Sequence, residues 1–461
     1  MNDYDVIVLG GGPGGYLAAE RLARGGKKVL LAEKASLGGT CLNEGCIPTK
    51  TLLNSAKLYV HAREGAKFGV SADNVRFDWK AMQAWKTEVV GKLVGAVGLM
   101  EKKLGVEVLY AEAALMGPGK IKIGEKIYDT EHIVIATGSI PVMPPIPGSR
   151  DNPHVVDSTG LLSAAEMPAR LCVIGGGVIG VEFASLFSAL GARVEVVEML
   201  DEIIPFMDGE LAPLLRRGMK AVGFHLGCKV EKIEGGTVFF RKKDGTESRI
   251  ESDLVLMAVG RKPRVEGWGA REAGLDFSPK GVVVDDRMRT NLPNVWAVGD
   301  VTGRSLLAHS AYRMAEIAAA NILRGAEAAR SGETMRWDAV PWAVYSMPEA
   351  AGIGLTREEA ERRGLAVVTS SLPLRVSGRF VAENGFAAPG MAKLVAEAGS
   401  GRILGVHIVG AYASEIIWGA SALIEEEMTV ADLRQLVFPH PTVSEALREA
   451  AWAMKEESDH A

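Results

Sequence analysis

Apolar runs and glycine clusters alternate along this chain, and the first pair sets a pattern. Asp5-Val-Ile-Val-Leu-Gly10 is short and continuously apolar, as a strand buried on both faces should be. Glycines follow at 10, 11, 12, 14 and 15, then a helical stretch from Tyr16 to about Gly25, then a second strand, Lys28–Glu33. This order predicts a βαβ unit. It returns at Leu171–Ile174, the glycines of 175–180, a helix to about Leu190, and the strand Arg193–Glu198. Gly10 to Glu33 and Gly175 to Glu198 are both 23 residues apart, so one binding module is expected twice. Between the two, residues 106–135 read as a β-meander around Gly117-Pro118-Gly119. A linker is expected at Met143–Ser149, where Pro144, Pro145 and Pro147 follow Pro141 closely. Leu254–Gly260 reads as another apolar strand. From about Trp337 the pattern mixes strands such as Ile403–Val409 with a helix near 414–427, and the tail 456–461 is expected to fray.

The 461 residues are enough for about three domains, and 48% hydrophobic with 24% charged residues is ordinary for packed cores. A net charge of −5 argues against nucleic acid as a partner. No run reaches the roughly 18 apolar residues of a membrane span. The opening Met1–Tyr4 carries no basic region or cleavage site, so a cytoplasmic setting is expected.

Gly10, Gly12 and Gly15 fit G-x-G-x-x-G, in which glycines serve the turn, the approach to a pyrophosphate, and helix–strand packing. The helix N-terminus then offers unpaired N–H groups to phosphate. Glu33 ends the second strand, where a carboxylate can accept from ribose hydroxyls. A lone glycine motif is as often only a turn; strand, glycines, helix, strand and acid in order point to a nucleotide. Gly175, Gly177, Gly180 and Glu198 repeat the case. Glu198 would repel a 2′-phosphate, and Met199 and Leu200 offer no cation, which favours NAD over NADP. Two modules imply two nucleotides, most simply FAD and NAD.

Cys41-Leu-Asn-Glu-Gly-Cys46-Ile-Pro-Thr-Lys50 carries the chemistry. Residues five apart diverge on a regular helix, but Gly45 and Pro48 permit a distorted turn that brings the sulfurs together. A thiolate near a helix start and Lys50 would have a lowered pKa. The spacing does not fit a C-x-x-C zinc pair, and no second Cys/His pair complements it; two inert cysteines are the other alternative. Cys172 and Cys228 read as ordinary packing residues. Near the C-terminus, Pro439 and Pro441 flank His440, and Glu445 could orient its imidazole as a general base. Alone, His-Pro would more often be a turn. His309 and His407 lie in apolar contexts and are read as structural.

The stretch Gly38–Lys50, with its glycines, Thr40 and both cysteines, resembles the redox motif of the pyridine nucleotide–disulfide oxidoreductases. Ile135-Ala136-Thr137-Gly138, Val259-Gly260-Arg261-Lys262-Pro263, Ala297-Val298-Gly299-Asp300 and Phe438–Glu445 resemble further family segments in order, so the resemblance spans essentially the whole chain. It implies an α/β fold: two Rossmann-like dinucleotide domains and a C-terminal α+β dimerisation domain. The expected division is 1–145 for FAD, 146–264 for NAD, 265–336 as the central part of the FAD domain, and 337–461 as the interface. It further implies that Gly39, Thr40, Ala136, Thr137, Gly138, Asp300 and Ala308 serve the FAD site, and Gly260 the end of the NAD domain. Cys41 would be the outer, exchanging thiol and Cys46 the inner one. Lys50 would pair with Glu182. The His440–Glu445 dyad would reach the site of a partner subunit in a homodimer. Glu44 departs from the usual pattern by adding negative charge near the cysteines.

The branch resembled most closely oxidises dihydrolipoamide with FAD and NAD. Its partners would be the lipoyl domain or acyltransferase core of a 2-oxoacid dehydrogenase complex, or the lipoyl carrier of the glycine cleavage system. Alternatives within the family act on mercuric ion, which calls for a terminal cysteine pair absent here, or use NADPH on glutathione-type disulfides. From another class, an inactive nucleotide-binding subunit should have lost one of Cys41, Cys46, Lys50 or His440.

Overall fold

In the computed structural model, residues 2–455 are described; the tail 456–461 lies outside the described residues, as does Met1. Strands β1 (Tyr4–Leu9) and β2 (Val29–Glu33) flank helix α1 (Pro13–Arg24). Val6, Ile7 and Val8 are fully buried, which explains why β1 lacks polar alternation. The helix begins earlier than the expected Tyr16. Pro13 fits its first turn because its fixed φ is helical and no N–H is needed there.

Helices α2 (Gly39–Glu44), α3 (Cys46–Glu64) and α4 (Trp79–Lys103) follow. Strands β3 (Glu107–Tyr110), β4 (Ala113–Gly117), β5 (Lys120–Ile123) and β6 (Lys126–Ile135) come next. The expected meander holds for β4–β5–β6, but β3 instead pairs with β2 in parallel. Its half-exposed edge pattern does not distinguish the two arrangements. The ten residues of β6 serve both sheet types. Lys126–Asp129 pair antiparallel with β5, and Thr130–Ile135 run parallel to β1.

The second module repeats the first. Strand β7 (Arg170–Ile174), helix α5 (Val178–Ala189), and strands β8 (Arg193–Val197), β9 (Val222–His225) and β10 (Leu254–Met257) build a parallel sheet in the order β9-β8-β7-β10. The chain then returns to the first sheet. Strand β11 (Val295–Ala297) pairs with β6, and helix α6 (Ala308–Arg324) packs on α1.

The last unit is an antiparallel sheet of β12 (Trp342–Val344), β13 (Ala350–Gly354), β14 (Val367–Pro373), β15 (Met391–Glu397) and β16 (Ile403–Val409), ordered β12-β13-β16-β15-β14. Helix α7 (Ala413–Glu425) packs on β13 and β16, and α8 (Glu445–Ala453) on β14 and β15.

Buried contacts tie these units together. Leu52, Leu53 and Ala56 of α3 share one core with Phe183, Leu186 and Phe187 of α5. Lys393 of β15, 1% exposed, meets the fully buried Asp208 of the second module at 2.9 Å. Glu210 lies 3.2 Å from the same ammonium. A buried ion pair is costly to halve, since the survivor is an uncompensated charge. Lys393→Ala is therefore expected to destabilise the protein by about 3–5 kcal/mol, read as an earlier urea midpoint, while Lys393→Met with Asp208→Leu recovers most of the loss.

Candidate active site

Each glycine cluster makes a turn that a side chain would block. Gly10 and Gly175 have φ of +99° and +109°. A Cβ on Gly15 would lie 1.7 Å from the Gly10 carbonyl oxygen, and one on Gly180 2.0 Å from that of Gly175. These third glycines let each helix close on its strand. The carboxylates that end the second strands hold the turns from the other side. Glu33 accepts from the Gly11 and Ala35 amides, both at 2.7 Å. Glu198 accepts from Gly176 at 2.5 Å and Leu200 at 2.7 Å. Each acid thus braces its glycine loop first. A carboxylate has about four acceptor positions, so a ribose can share it.

One cavity of about 1970 Å³ runs across both modules. That is roughly twice the upper range for a pocket holding one drug-sized ligand, and it suits two dinucleotides. Gly10, Gly12, Glu33, Gly39 and Thr40 line its first half, with Ala136, Thr137, Gly138, Asp300 and Ala308. Gly175, Gly177, Glu182, Glu198 and Gly260 line its second half. Gly15 and Gly180 stand behind the turns, not on the lining. The residue types and the cradle fit FAD on the first module and NAD on the second.

Cys41 and Cys46 sit where the two halves meet. Gly45 breaks the helix there with φ −144° and ψ −104°, leaving Cys41 on α2 and Cys46 at the start of α3. Asn43 pins α2 by donating to the Leu37 and Gly39 carbonyls, both at 2.9 Å. Both cysteines are free thiols, hydrogen-bonded to each other. That bond, with the Lys50 ammonium, overrides burial and brings the Cys46 thiol down to about 7. The same bond and burial push Cys41 up. The two thiols are therefore unequal: Cys46 is the one that ionises more readily, with Cys41 as its donor.

Lys50 places Nζ 2.9 and 2.8 Å from the Glu182 carboxylate oxygens. The Tyr345 amide donates to the same carboxylate at 3.0 Å, and its ring lies 4.5 Å from Nζ. Glu44 lines the same cavity as the cysteines: it is exposed, accepts from Thr159 at 3.5 Å, and acts on Arg261.

Arg261 belongs to a segment that the family resemblance marks, yet the sequence alone assigns it no partner. In the structure it donates to Ser139 Oγ at 2.9 Å, to the Ser139 carbonyl at 3.0 Å and to Thr40 Oγ1 at 3.3 Å. Ser139 Oγ in turn donates to Asp300 at 2.6 Å. The residue beside Cys41 is thus wired to Asp300. A cation directly after an apolar strand and glycine is the signal that the sequence offers.

The two histidines expected to be structural have different surroundings. His309 is not a core residue: it lines the main cavity beside Ala308 and meets the Pro341 carbonyl at 2.6 Å. The start of α6 turns it out of the apolar face that its neighbours occupy. His407 is buried, 3.0 Å from the Leu355 carbonyl, as a structural histidine should be. Cys172 and Cys228 are buried, although Cys228 also borders the cavity.

His440 and Glu445 form a separate arrangement on the last unit. Nδ1 lies 3.0 and 3.2 Å from the Glu445 carboxylate, which the Thr442 amide fixes at 2.9 Å. The His440 side chain is 79% exposed, that of Glu445 only 11%. The dyad lines its own cleft of about 530 Å³ with Arg448 and Trp452, apart from the cysteine cavity. Within one chain the dyad and the sulfurs line different cavities.

In the reduced protein, ultraviolet thiolate absorbance should rise with a midpoint near pH 7 as Cys46 ionises. Removing the favourable charge with Lys50→Met is expected to move that midpoint upward; an unmoved midpoint would show that Lys50 does not act on the sulfur.

Residues 4–315 match the family described as pyridine nucleotide-disulphide oxidoreductase, and residues 340–451 match its dimerisation domain. The chain is 40% identical to the dihydrolipoyl dehydrogenase of Thermus scotoductus, covering 100% of this chain and 99% of that protein. It is 36% identical to a dihydrolipoyl dehydrogenase of Bacillus subtilis, over 97% and 95%. Among solved structures, the HOCl-induced flavoprotein disulfide reductase RclA from Escherichia coli superposes with a TM-score of 0.84 at 28% identity, covering 98% of this chain and all of that one. The expected fold is therefore correct, and the chain belongs to the pyridine nucleotide–disulphide oxidoreductases.

Proposed function

We propose that this protein oxidises dihydrolipoamide to lipoamide through Cys41 and Cys46 and reduces NAD, as a homodimer. The observation that carries this reading is the asymmetric dithiol between two nucleotide cradles, with a histidine–carboxylate dyad on a different face of the same chain. The full-length similarity to dihydrolipoyl dehydrogenases supports lipoamide as the substrate. Under this reading 1–145 and 265–336 hold FAD, 146–264 holds NAD, and 337–461 forms the interface.

His440 of one subunit accepts the proton of the first substrate thiol, with Glu445 holding its imidazole on Nδ1. The substrate thiolate attacks Cys41 Sγ of the other subunit, and the bond to Cys46 breaks. Cys46 leaves as a thiolate, eased by Lys50, and Glu182 keeps that lysine in place. Bound FAD supplies the two-electron carrier between this dithiol and NAD. The exposed Val437 (96%) and Trp452 beside the dyad offer the apolar face that a partner subunit needs. The macromolecular substrate is a lipoyl domain of a 2-oxoacid dehydrogenase complex or a lipoyl carrier of the glycine cleavage system. Among the described residues no helix is long and apolar enough to cross a membrane.

The defining assay is NADH oxidation with lipoamide beside NADPH oxidation with glutathione disulfide. Turnover only in the second would overturn the reading. Changing His440→Ala should lower lipoamide turnover on the order of 100- to 10,000-fold. In isolated mixed dimers of Cys46→Ser and His440→Ala chains, one site is intact if the dyad acts in trans, so activity should return. Mixed dimers as inactive as either parent would refute a shared site. Glu198, braced at the strand end, should favour NADH strongly over NADPH, and Glu198→Arg should shrink or invert the ratio of kcat/KM values. Equal values for both nucleotides in the unaltered protein would refute that role.

A further inference from the structure

Two tyrosines beside the dithiol have no part in the thiol exchange proposed above. Tyr16 stands on α1 and Tyr312 on α6. Their hydroxyls are hydrogen-bonded to each other, and the rings meet edge to face at 6.0 Å and 62°. Tyr312 lines the cavity that Cys41 and Cys46 line, and Tyr16 backs it from α1. Two phenols carry two O–H groups, and their mutual bond uses one. With Tyr16 as donor, the O–H of Tyr312 is left on the cavity side. Burial pushes both phenols up; their mutual bond raises Tyr16 further and lowers Tyr312, and negative charge on Cys41 raises both, so both are neutral donors at working pH.

We propose that Tyr312, polarised by Tyr16, donates its free O–H to Cys41 Sγ when that sulfur carries charge, and so stabilises Cys41 as a leaving thiolate in disulfide exchange. The inference rests on the reading of Cys41 as the exchanging sulfur. The step it serves is the second half of that exchange. After the first attack, one substrate sulfur is bonded to Cys41 and Cys46 is already a thiolate. His440 of the partner subunit, its first proton passed to solvent, takes the proton of the second substrate thiol; the thiolate so formed attacks the first substrate sulfur and the bond to Cys41 breaks. The substrate dithiol is thereby oxidised to a disulfide, the enzyme disulfide has become a dithiol, and Cys41 departs with the electron pair.

That departure places a second negative charge beside the first. Within the chain the groups facing Cys41 are Cys46 and Lys50 from α3, Asp300 from the turn after β11, and the two tyrosines; in the proposed dimer the imidazolium of His440 of the partner subunit faces it as well and favours its charge. Charge on Cys46 and Asp300 opposes a Cys41 thiolate; Lys50 favours it but is already shared with Glu182 and Cys46. A neutral O–H stabilises the new charge without adding one of its own. Until then Cys41 is bonded to sulfur and carries no charge, so the phenol acts as that bond breaks.

The test removes the hydroxyl and keeps the ring. In the NADH-reduced protein, the rate of Cys41 alkylation by iodoacetamide is followed by peptide mass from acid to alkaline pH. Tyr312→Phe is expected to move the profile to higher pH and slow alkylation at neutral pH about tenfold, as for a lost hydrogen bond to a charged group. Tyr16→Phe should shift it less, in the same direction. A Tyr312→Phe protein that keeps its FAD and dimeric mass but shows the unaltered profile overturns the proposal. Should that variant lose FAD, Tyr16→Phe decides, and an unshifted profile overturns it equally. Lipoamide turnover of the unaltered protein is measured alongside. Its absence would retract the substrate assignment, whereas the alkylation profile uses no lipoamide and judges the phenol by itself.

Discussion

The geometry of the site depends on the ion pair between Lys50 and Glu182. Lys50 lies one helical turn after Cys46 on α3, and Glu182 lies on α5 in the second nucleotide module. The pair is mostly buried, with Glu182 at 6% side-chain exposure. Removing either partner would strand the other in a low-dielectric cavity. The carboxylate is also fixed by the Tyr345 amide. The three units therefore meet at one carboxylate: the helix of the cysteines, the second module, and the chain entering the interface sheet. The apolar contacts of α3 and α5 hold the same two helices together without specifying rotation. The ion pair supplies the register that hydrophobic packing leaves loose.

Charge placement follows from that register. A lysine held by Glu182 cannot fold back fully onto the sulfur, so its effect on Cys46 is through space. The mutual thiol bond does the larger share. This division is useful chemically. Were Lys50 to ion-pair with Cys46 outright, the thiolate would be less available as an electron donor. Instead, in the reduced pair Cys46 ionises near neutral pH, while Cys41 keeps its proton. Five residues and one glycine are enough to make two identical side chains unequal.

Much of this is legible in the sequence because the constraints involved are local. The G-x-G-x-x-G turns, the strand before each and the acid after each are dictated by backbone sterics within about thirty residues. Position 45 reads as a break because cysteines five apart diverge on an intact helix. The contacts that escape a sequence are those set by tertiary neighbours. Strand β3 looks like part of the meander since its partner, β2, is more than seventy residues back in the chain. His309 looks like core from its apolar neighbours, although the start of α6 turns it into the cavity. Arg261 has no visible role in one dimension because its partners, Thr40 and Ser139, lie over a hundred residues away. Glu33 and Glu198 read as ribose acceptors, and their bonds to backbone amides show a structural duty underneath.

The separation of the base from the dithiol has its own physical logic. A histidine beside Cys46 in the same cavity would, once protonated, compete with Lys50 for the thiolate. Mounted on the interface unit, His440 is held by Glu445 between two prolines, in a loop that lines a cleft of its own. In the proposed dimer that imidazole would serve the exchanging sulfur of the other chain. Two protons and one electron pair must leave a dithiol substrate, and under the proposed function they take different routes. The protons would go to a face supplied by the interface unit. The electron pair goes inward, through Cys46, to the cavity between the modules. In the proposed shared site, pairing of two chains would bring that face and that cavity together, and the similarity of residues 340–451 to a dimerisation domain accords with it.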